Sequence, residues 1–394
     1  MALLLIKNGT IQSPYPMGKM DILVAGNKII AIDSNISEHS VKTLDKDAAI
    51  IDANLHWITP GLIDTHIHFN GAGGENGPQF RTPPLQLSSL IRAGITTAVA
   101  PMGTDGFSRS LRELLAKSRG LENEGITTYI YTGSYSFPSV SITDNIITDI
   151  VLIDKIIGTK IALSDHRSSH LTVEELRRVT SDTRVAGLIA GKAGKVEVHM
   201  GSEEQGLTLI EKAVEGTEIP LTQLRPTHVN RNRNLFNQTI DFCAKGGVAD
   251  ITTSMNDAAV ATSECFDQIL NSKAPLSQFT LSTDGNGSMP VFNDAGDLVR
   301  MGTGEVSTLL TALRDIIAND KNSINDVLPL VTENAAKRLN LEKKGTLKTG
   351  NDADILIFSP SNLELQYVVS QGRIMMQEGE LVQYGTFETP DSTK

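Results

Sequence analysis

Short apolar runs recur along the chain, and between residues 58 and 343 they alternate with longer stretches of helical texture. The runs at 61–66, 95–101, 127–133, 159–163, 195–199, 224–229, 248–253 and 279–284 predict strands. Between them, SRSLRELLAKSRGLENEG, TVEELRRVTSDTR, EQGLTLIEKAVEG and NLFNQTIDFCAKGG predict helices, several closing on glycine as helices often do. Eight alternations over about 250 residues predict an α/β fold of the (β/α)8 barrel type. A doubly wound open sheet is the alternative, but no GxGxxG follows the first strand of the series.

The two ends have a different texture. LLLIKNGTI, MDILVAGNKIIAI and AAIIDANLHWI near the start, and GNDADILIFSP and LQYVVSQGRIMMQEGELV near the finish, are apolar stretches broken by Gly, Asn and Asp turns. Residues 1–57 plus 344–394 are therefore expected to form one small β-rich domain, with residues 58–343 inserted as the barrel.

Composition narrows the function classes. With Lys+Arg 35 and Asp+Glu 46 the net charge is −11, which gives no general attraction for nucleic acid or an anionic membrane. Cys243 and Cys265 stand outside any CxxC pattern, so they read as partly buried thiols in a reducing compartment rather than a disulfide or a cysteine zinc site. MALLLIKNGT lacks a basic n-region and a small-residue cleavage site and reads as a first strand. No apolar stretch is long enough to span a bilayer, and the expected location is cytoplasmic.

Barrel enzymes carry their chemistry at the C-terminal ends of the strands. The first predicted strand ends in GLIDTHIHF, where His66 and His68, two residues apart, project to the same face. The fifth ends in His199, the sixth in His228 and the eighth in Asp284. Imidazoles with a carboxylate suit zinc or another divalent first-row metal. Lys160, on the fourth strand, is expected to face inward. Burial near cations would favour its neutral amine, which can add CO2 to become an anionic carbamate; pairing with a carboxylate is the commoner fate, and spacing leaves both open. His39 and His56 have no such company and read as structural, while His166 and His170 lie near the barrel mouth without an assigned role.

The ordered set of GLIDTHIHF, a fourth-strand lysine, one histidine on each of the fifth and sixth strands, an eighth-strand aspartate and GNDADIL resembles the amidohydrolase superfamily. GAGGENGP, GTD, YTGSY, SDHRS, LRPTHVNRN and STDGNGS resemble its isoaspartyl (β-aspartyl) dipeptidase family, over nearly the whole chain. The resemblance implies two zinc ions per subunit: His66 and His68 on the more buried one, with Asp284 against it, and His199 and His228 on the more exposed one. It also implies that Lys160, as N6-carboxylysine, and a hydroxide bridge the pair. Asp284 would then shuttle a proton, and Tyr135 would stabilise the oxyanion or close over the substrate. A homo-oligomer, with an octamer in range, is implied as well.

An isoaspartyl bond leaves the α-amino and α-carboxylate groups of the aspartyl residue free. Glu75 suits the ammonium, with Gly73 and Gly74 allowing close backbone approach. Arg167 and Arg231 suit carboxylates, and Thr104 and Ser288 are further hydrogen-bonding candidates. The expected function is hydrolysis of small isoaspartyl peptides by a zinc dipeptidase. The rivals are a dihydroorotase- or hydantoinase-like cyclic amide hydrolase and a non-catalytic scaffold.

Overall fold

The computed structural model describes residues 3–12, 14–75, 77–255, 259–292, 298–318 and 322–390. Strands from both ends of the chain share one nine-stranded sheet. Leu3–Ile11 pairs with Gly18–Ala25, Ala49–Asp52 and the start of Trp57–Pro60. Trp57–Pro60 in turn pairs antiparallel with Ile355–Phe358, setting Ile58 opposite Ile357. Ile6, Ile11, Ile22, Val24, Ile355 and Val369 form the apolar core of this sheet. Its β-branched residues pack well on a pleated, half-buried surface.

Trp57–Pro60 leads into the first of eight parallel barrel strands. These are Leu62–Asp64, Ile95–Ala100, Thr127–Gly133, Ile156–Leu163, Lys195–Met200, Leu224–Thr227, Ala249–Thr252 and Phe279–Ser282. The first six form one continuous ladder, and the last two pair with each other. The amide of Val229 donates to the carbonyl of Asp250 at 3.4 Å between the sixth and seventh strands. Closure comes from Asp284 N to His66 O and His68 N to Gly285 O, both at 2.9 Å. All seven or eight residues of the third and fourth strands are buried or nearly so, as expected of strands covered on both faces.

Helices cover the outside. In Leu111–Glu124, Leu111, Leu114, Ser118 and Leu121 are buried, a single helical stripe. Ser110 caps its start by accepting from Glu113 N, and Gly125 ends it. Each leucine buried on that stripe contributes roughly 1.5–3 kcal/mol. Val173–Ala190 begins with a reciprocal capping box between Thr172 and Glu175 and stops at left-handed Gly191. Among the described residues, no helix is long and apolar enough to cross a membrane. Cys243 and Cys265 are free and buried, and burial pushes both thiols well above their ordinary pKa.

Candidate active site

Several inward positions of the barrel carry charge. Glu197 and Lys160 are register partners on adjacent strands, and Arg225 pairs with Glu197 one strand further on. Arg225 Nε donates to Glu197 Oε2 at 2.6 Å, and its Nη1 to Asp250 Oδ1 at 3.1 Å. Asp250 also accepts from the hydroxyls of Thr65, Thr227, Thr280 and Ser282, tying the first, sixth, seventh and eighth strands together. A fully paired buried network is tolerable where a half-satisfied one is not.

This network supports the imidazoles above it. Glu197 Oε1 lies 2.9 Å from His66 Nδ1. With the carboxylate accepting there, the proton is assigned to Nδ1, and the Nε2 lone pair faces Lys160 Nζ and the Asp284 carboxylate. His228 Nδ1 is likewise held by Thr252 Oγ1 at 2.8 Å, and His199 Nε2 by Asp165 Oδ2 at 2.9 Å. His199 Nδ1 is hydrogen-bonded to the Tyr135 hydroxyl. Burial first, then neighbouring positive charge for His66 and His228, holds these imidazoles well below their ordinary pKa; burial does the same at His199.

The rings converge. Centroids lie 5.6 Å apart for His66 and His68, 5.0 Å for His66 and His228, and 4.7 Å for His199 and His228. Donor atoms of His66, His228 and Asp284 all lie within 4.8 Å of one another. His68 Nε2 is 3.0 Å from Asp284 Oδ1, while its buried Nδ1 has no hydrogen-bond partner among the described residues. Burial raises the Asp284 carboxyl, but the His68 hydrogen bond and the electrostatic pull of the facing His66, His68 and Lys160 outweigh it and hold the group low. Asp284 and His228 both have positive φ, 50° and 62°, so their side chains leave the strand ends in a conformation L-residues rarely adopt.

Lys160 is fully buried, and burial lowers its pKa to about 8. Among the described residues its Nζ has one hydrogen-bonding contact, His66 Nε2 at 3.3 Å. An ammonium facing imidazole nitrogens without a hydrogen-bonded carboxylate is poorly solvated. Imidazoles that burial holds well below their ordinary pKa, a His68 nitrogen without a partner among the described residues and a lysine of this kind fit divalent cations.

Glu75, Thr104, Tyr135, Arg167, Arg231 and Ser288 line one cavity, which also reaches His68, His199 and Asp284. Gly73 lines it too, at φ 80°, where an added Cβ would meet the Phe80 carbonyl oxygen at 2.3 Å. Gly74 follows at φ 100°. This turn aims Glu75 inward. Its Oε1 accepts from Thr104 Oγ1 at 3.1 Å, Arg167 Nη1 at 2.9 Å and Ser288 Oγ at 3.2 Å, whereas its buried Oε2 has no partner among the described residues. The two arginines differ. Arg167 is engaged by Asp165 and Glu75. Arg231 donates Nε to the Met200 carbonyl at 2.9 Å and has no carboxylate partner among the described residues. Burial lowers its pKa. Tyr135 is buried against His199, with Arg167 5.3 Å from its ring centre, and burial raises its hydroxyl above the ordinary pKa.

Residues 57–375 match the amidohydrolase family. The chain belongs to that family. A solved β-aspartyl dipeptidase from the thermophilic keratin-degrading Fervidobacterium islandicum AW-1, in complex with the dipeptide β-Asp-Leu, is 40% identical. It covers 98% of this chain and 100% of its own, with a TM-score of 0.90. A second structure of the dipeptidase from that organism is 38% identical with a TM-score of 0.89, again over 98% and 100% of the two chains. The dihydroorotase of Streptococcus thermophilus is 32% identical over 147 residues, 36% of this chain; the chain spans about a third of the length of that curated relative, 32%.

All the residues singled out from sequence at strand ends meet at one end of the barrel, while His39 and His166 stay exposed. His170 Nε2 contacts Glu203 and His56 Nδ1 the Ala53 carbonyl. Asp165, Glu197, Arg225 and Asp250 support the site from outside the set of residues expected from sequence. The available signal was charge at alternate positions of otherwise apolar strands, as in KVEVH, where Glu197 shares a face with His199.

Proposed function

We propose that the protein is a zinc-dependent dipeptidase that cleaves the β-linked amide of N-terminal isoaspartyl dipeptides. One observation carries this reading: a single cavity sets Glu75 Oε2, without a hydrogen-bond partner among the described residues, and the Arg231 guanidinium, without a carboxylate partner among them, beside convergent imidazoles. An isoaspartyl residue brings an ammonium for the first and an α-carboxylate for the second. Arg167 is already committed to Asp165 and Glu75, so Arg231 is assigned to the carboxylate. The Fervidobacterium dipeptidase in complex with β-Asp-Leu supports the same substrate class.

His66 and His68, with Asp284 beside them, would hold one zinc ion, and His199 and His228 the other. Lys160 as its carbamate would bridge them. When bound, the ions supply a hydroxide nucleophile near neutral pH and polarise the scissile carbonyl. Asp284, at the strand-8 end, takes the nucleophile's proton and delivers it to the leaving amine. The Tyr135 hydroxyl, which points at the His199 side of the cavity, donates to the developing oxyanion. Glu75 and Arg231 hold the aspartyl end so that the β-amide, not an α-amide, faces the imidazoles.

The test is protein prepared with zinc and bicarbonate, assayed for metal content and for turnover of β-Asp-Leu, dihydroorotate and hydantoin. Two zinc ions per chain with cleavage of the dipeptide alone is expected. Turnover of a cyclic amide with the dipeptide untouched would replace the substrate and keep the metal chemistry.

A further inference from the structure

Asp165 follows the fourth barrel strand and is 4% exposed. Both of its carboxylate oxygens are shared. Oδ1 accepts from Arg167 N at 2.8 Å and Arg167 Nε at 2.9 Å. Oδ2 accepts from Arg167 Nη2 at 2.8 Å and lies 2.9 Å from His199 Nε2. The remaining edge of the guanidinium sends Nη1 to Glu75 Oε1 at 2.9 Å. A continuous chain, His199–Asp165–Arg167–Glu75, thus runs from a metal-side imidazole to the carboxylate assigned to the substrate ammonium.

We propose that Asp165 is a positioning residue that couples the metal-side imidazole of His199 to ammonium recognition at Glu75. The inference rests on the isoaspartyl reading and adds two physical consequences to it. At one end, a carboxylate accepting from Nε2–H fixes the tautomer that leaves the Nδ1 lone pair, which meets the Tyr135 hydroxyl in this structure, and strengthens that nitrogen as a ligand. At the other, Asp165 occupies the Nε/Nη2 edge of Arg167, the edge suited to bidentate pairing. Arg167 is then left with a single bond to Glu75 Oε1, and Oε2 stays open for a substrate cation. Released from Asp165, the guanidinium would turn that two-nitrogen edge onto Glu75 and cover Oε2.

The experiment compares wild type with Asp165→Asn, an isosteric change that keeps an acceptor for one donor but removes the charge. Zinc affinity is read by chelator competition. At saturating zinc, KM is read for β-Asp-Leu, and the inhibition constant for N-succinyl-leucine, which lacks only the α-amino group. Zinc affinity should fall about 10–100-fold, the range for loss of such outer partners. KM for β-Asp-Leu should rise at least about tenfold while succinyl-leucine binding holds, and Asp165→Asn should add little to KM in a Glu75→Gln background. Arg167→Lys, which keeps the charge but removes the fork, should move the ammonium arm and leave zinc affinity unchanged. Equal weakening of both ligands, unchanged zinc affinity, or multiplicative KM losses with Glu75→Gln would overturn the coupling. A wild type inert toward β-Asp-Leu would overturn the isoaspartyl reading and the ammonium arm with it, while the zinc comparison would still decide the His199 arm.

Discussion

The backbone amide of Asp284 donates to the carbonyl of His66 at 2.9 Å, and the His66 Nε2 stands 3.6 Å from the Asp284 carboxylate. The seam that closes the barrel therefore also sets the distance between a candidate ligand and the candidate proton carrier. Asp64 pins the same seam, accepting from His66 N at 3.1 Å and Thr283 N at 3.2 Å. Because Asp284 has positive φ, asparagine is the least disruptive replacement there. Asp284→Asn should keep the fold and lose kcat by about 10²–10⁴-fold, the range for a general acid–base group. Steady-state kinetics with circular dichroism on the same preparation checks this, and near-normal kcat would remove Asp284 from proton transfer.

Arg231 is the cavity's guanidinium without a carboxylate partner among the described residues, so its removal breaks no internal ion pair. Arg231→Met should leave unfolding temperature nearly unchanged while weakening β-Asp-Leu binding by about 1.5–3 kcal/mol, the range for hydrogen bonds to charged groups. A substrate whose α-carboxylate is converted to an amide should lose little. Equal losses on both substrates would remove Arg231 from carboxylate recognition.

Glu197 is buried between Arg225 and His66. Glu197→Ala strips a carboxylate from an enclosed guanidinium and leaves His66 Nδ1 without its acceptor. Urea unfolding should show a loss of about 3–5 kcal/mol, as when one partner of a buried pair is removed. The folded fraction should also release metal more readily than wild type.

Cys243 and Cys265 are buried, with their thiols held protonated, and neither lines the cavity. Thiol-directed reagents under native conditions should leave turnover intact and label neither residue, as intact-mass measurement would show. A chelator that strips zinc should abolish turnover, and zinc should restore it.

Much of the barrel was legible because a strand covered on both faces must be apolar along its length. The run predicted at 127–133 coincides with the strand Thr127–Gly133. Helix ends were less legible. Val173–Ala190 runs past the predicted end at residue 184, because exposed Leu188 and Ile189 continue a helix that only Gly191 stops. The hairpin of Ser288–Phe292 and Leu298–Thr303, whose Ser288 reaches Glu75, went unpredicted. Its pairing depends on a partner strand rather than on a local period.

The imidazoles and Asp284 were legible by residue type at strand ends. Glu197, Arg225 and Asp250 were not, because their role comes from register between strands, and neither was Asp165, whose role needs the His199 ring that the adjacent strand brings beside it. Asp250 meets Thr65, 185 positions away, only once the barrel closes. The difference between the arginines was equally hidden. Arg167 and Arg231 look alike as letters, and their partners alone separate an engaged cation from an available one.

The most direct test is hydrolysis of β-Asp-Leu beside α-Asp-Leu by the zinc-loaded protein, followed by release of free leucine. Cleavage of the β-linked peptide with the α-linked isomer left intact is the predicted result. Equal cleavage of the two, or of neither by protein shown to carry its metal, would contradict it.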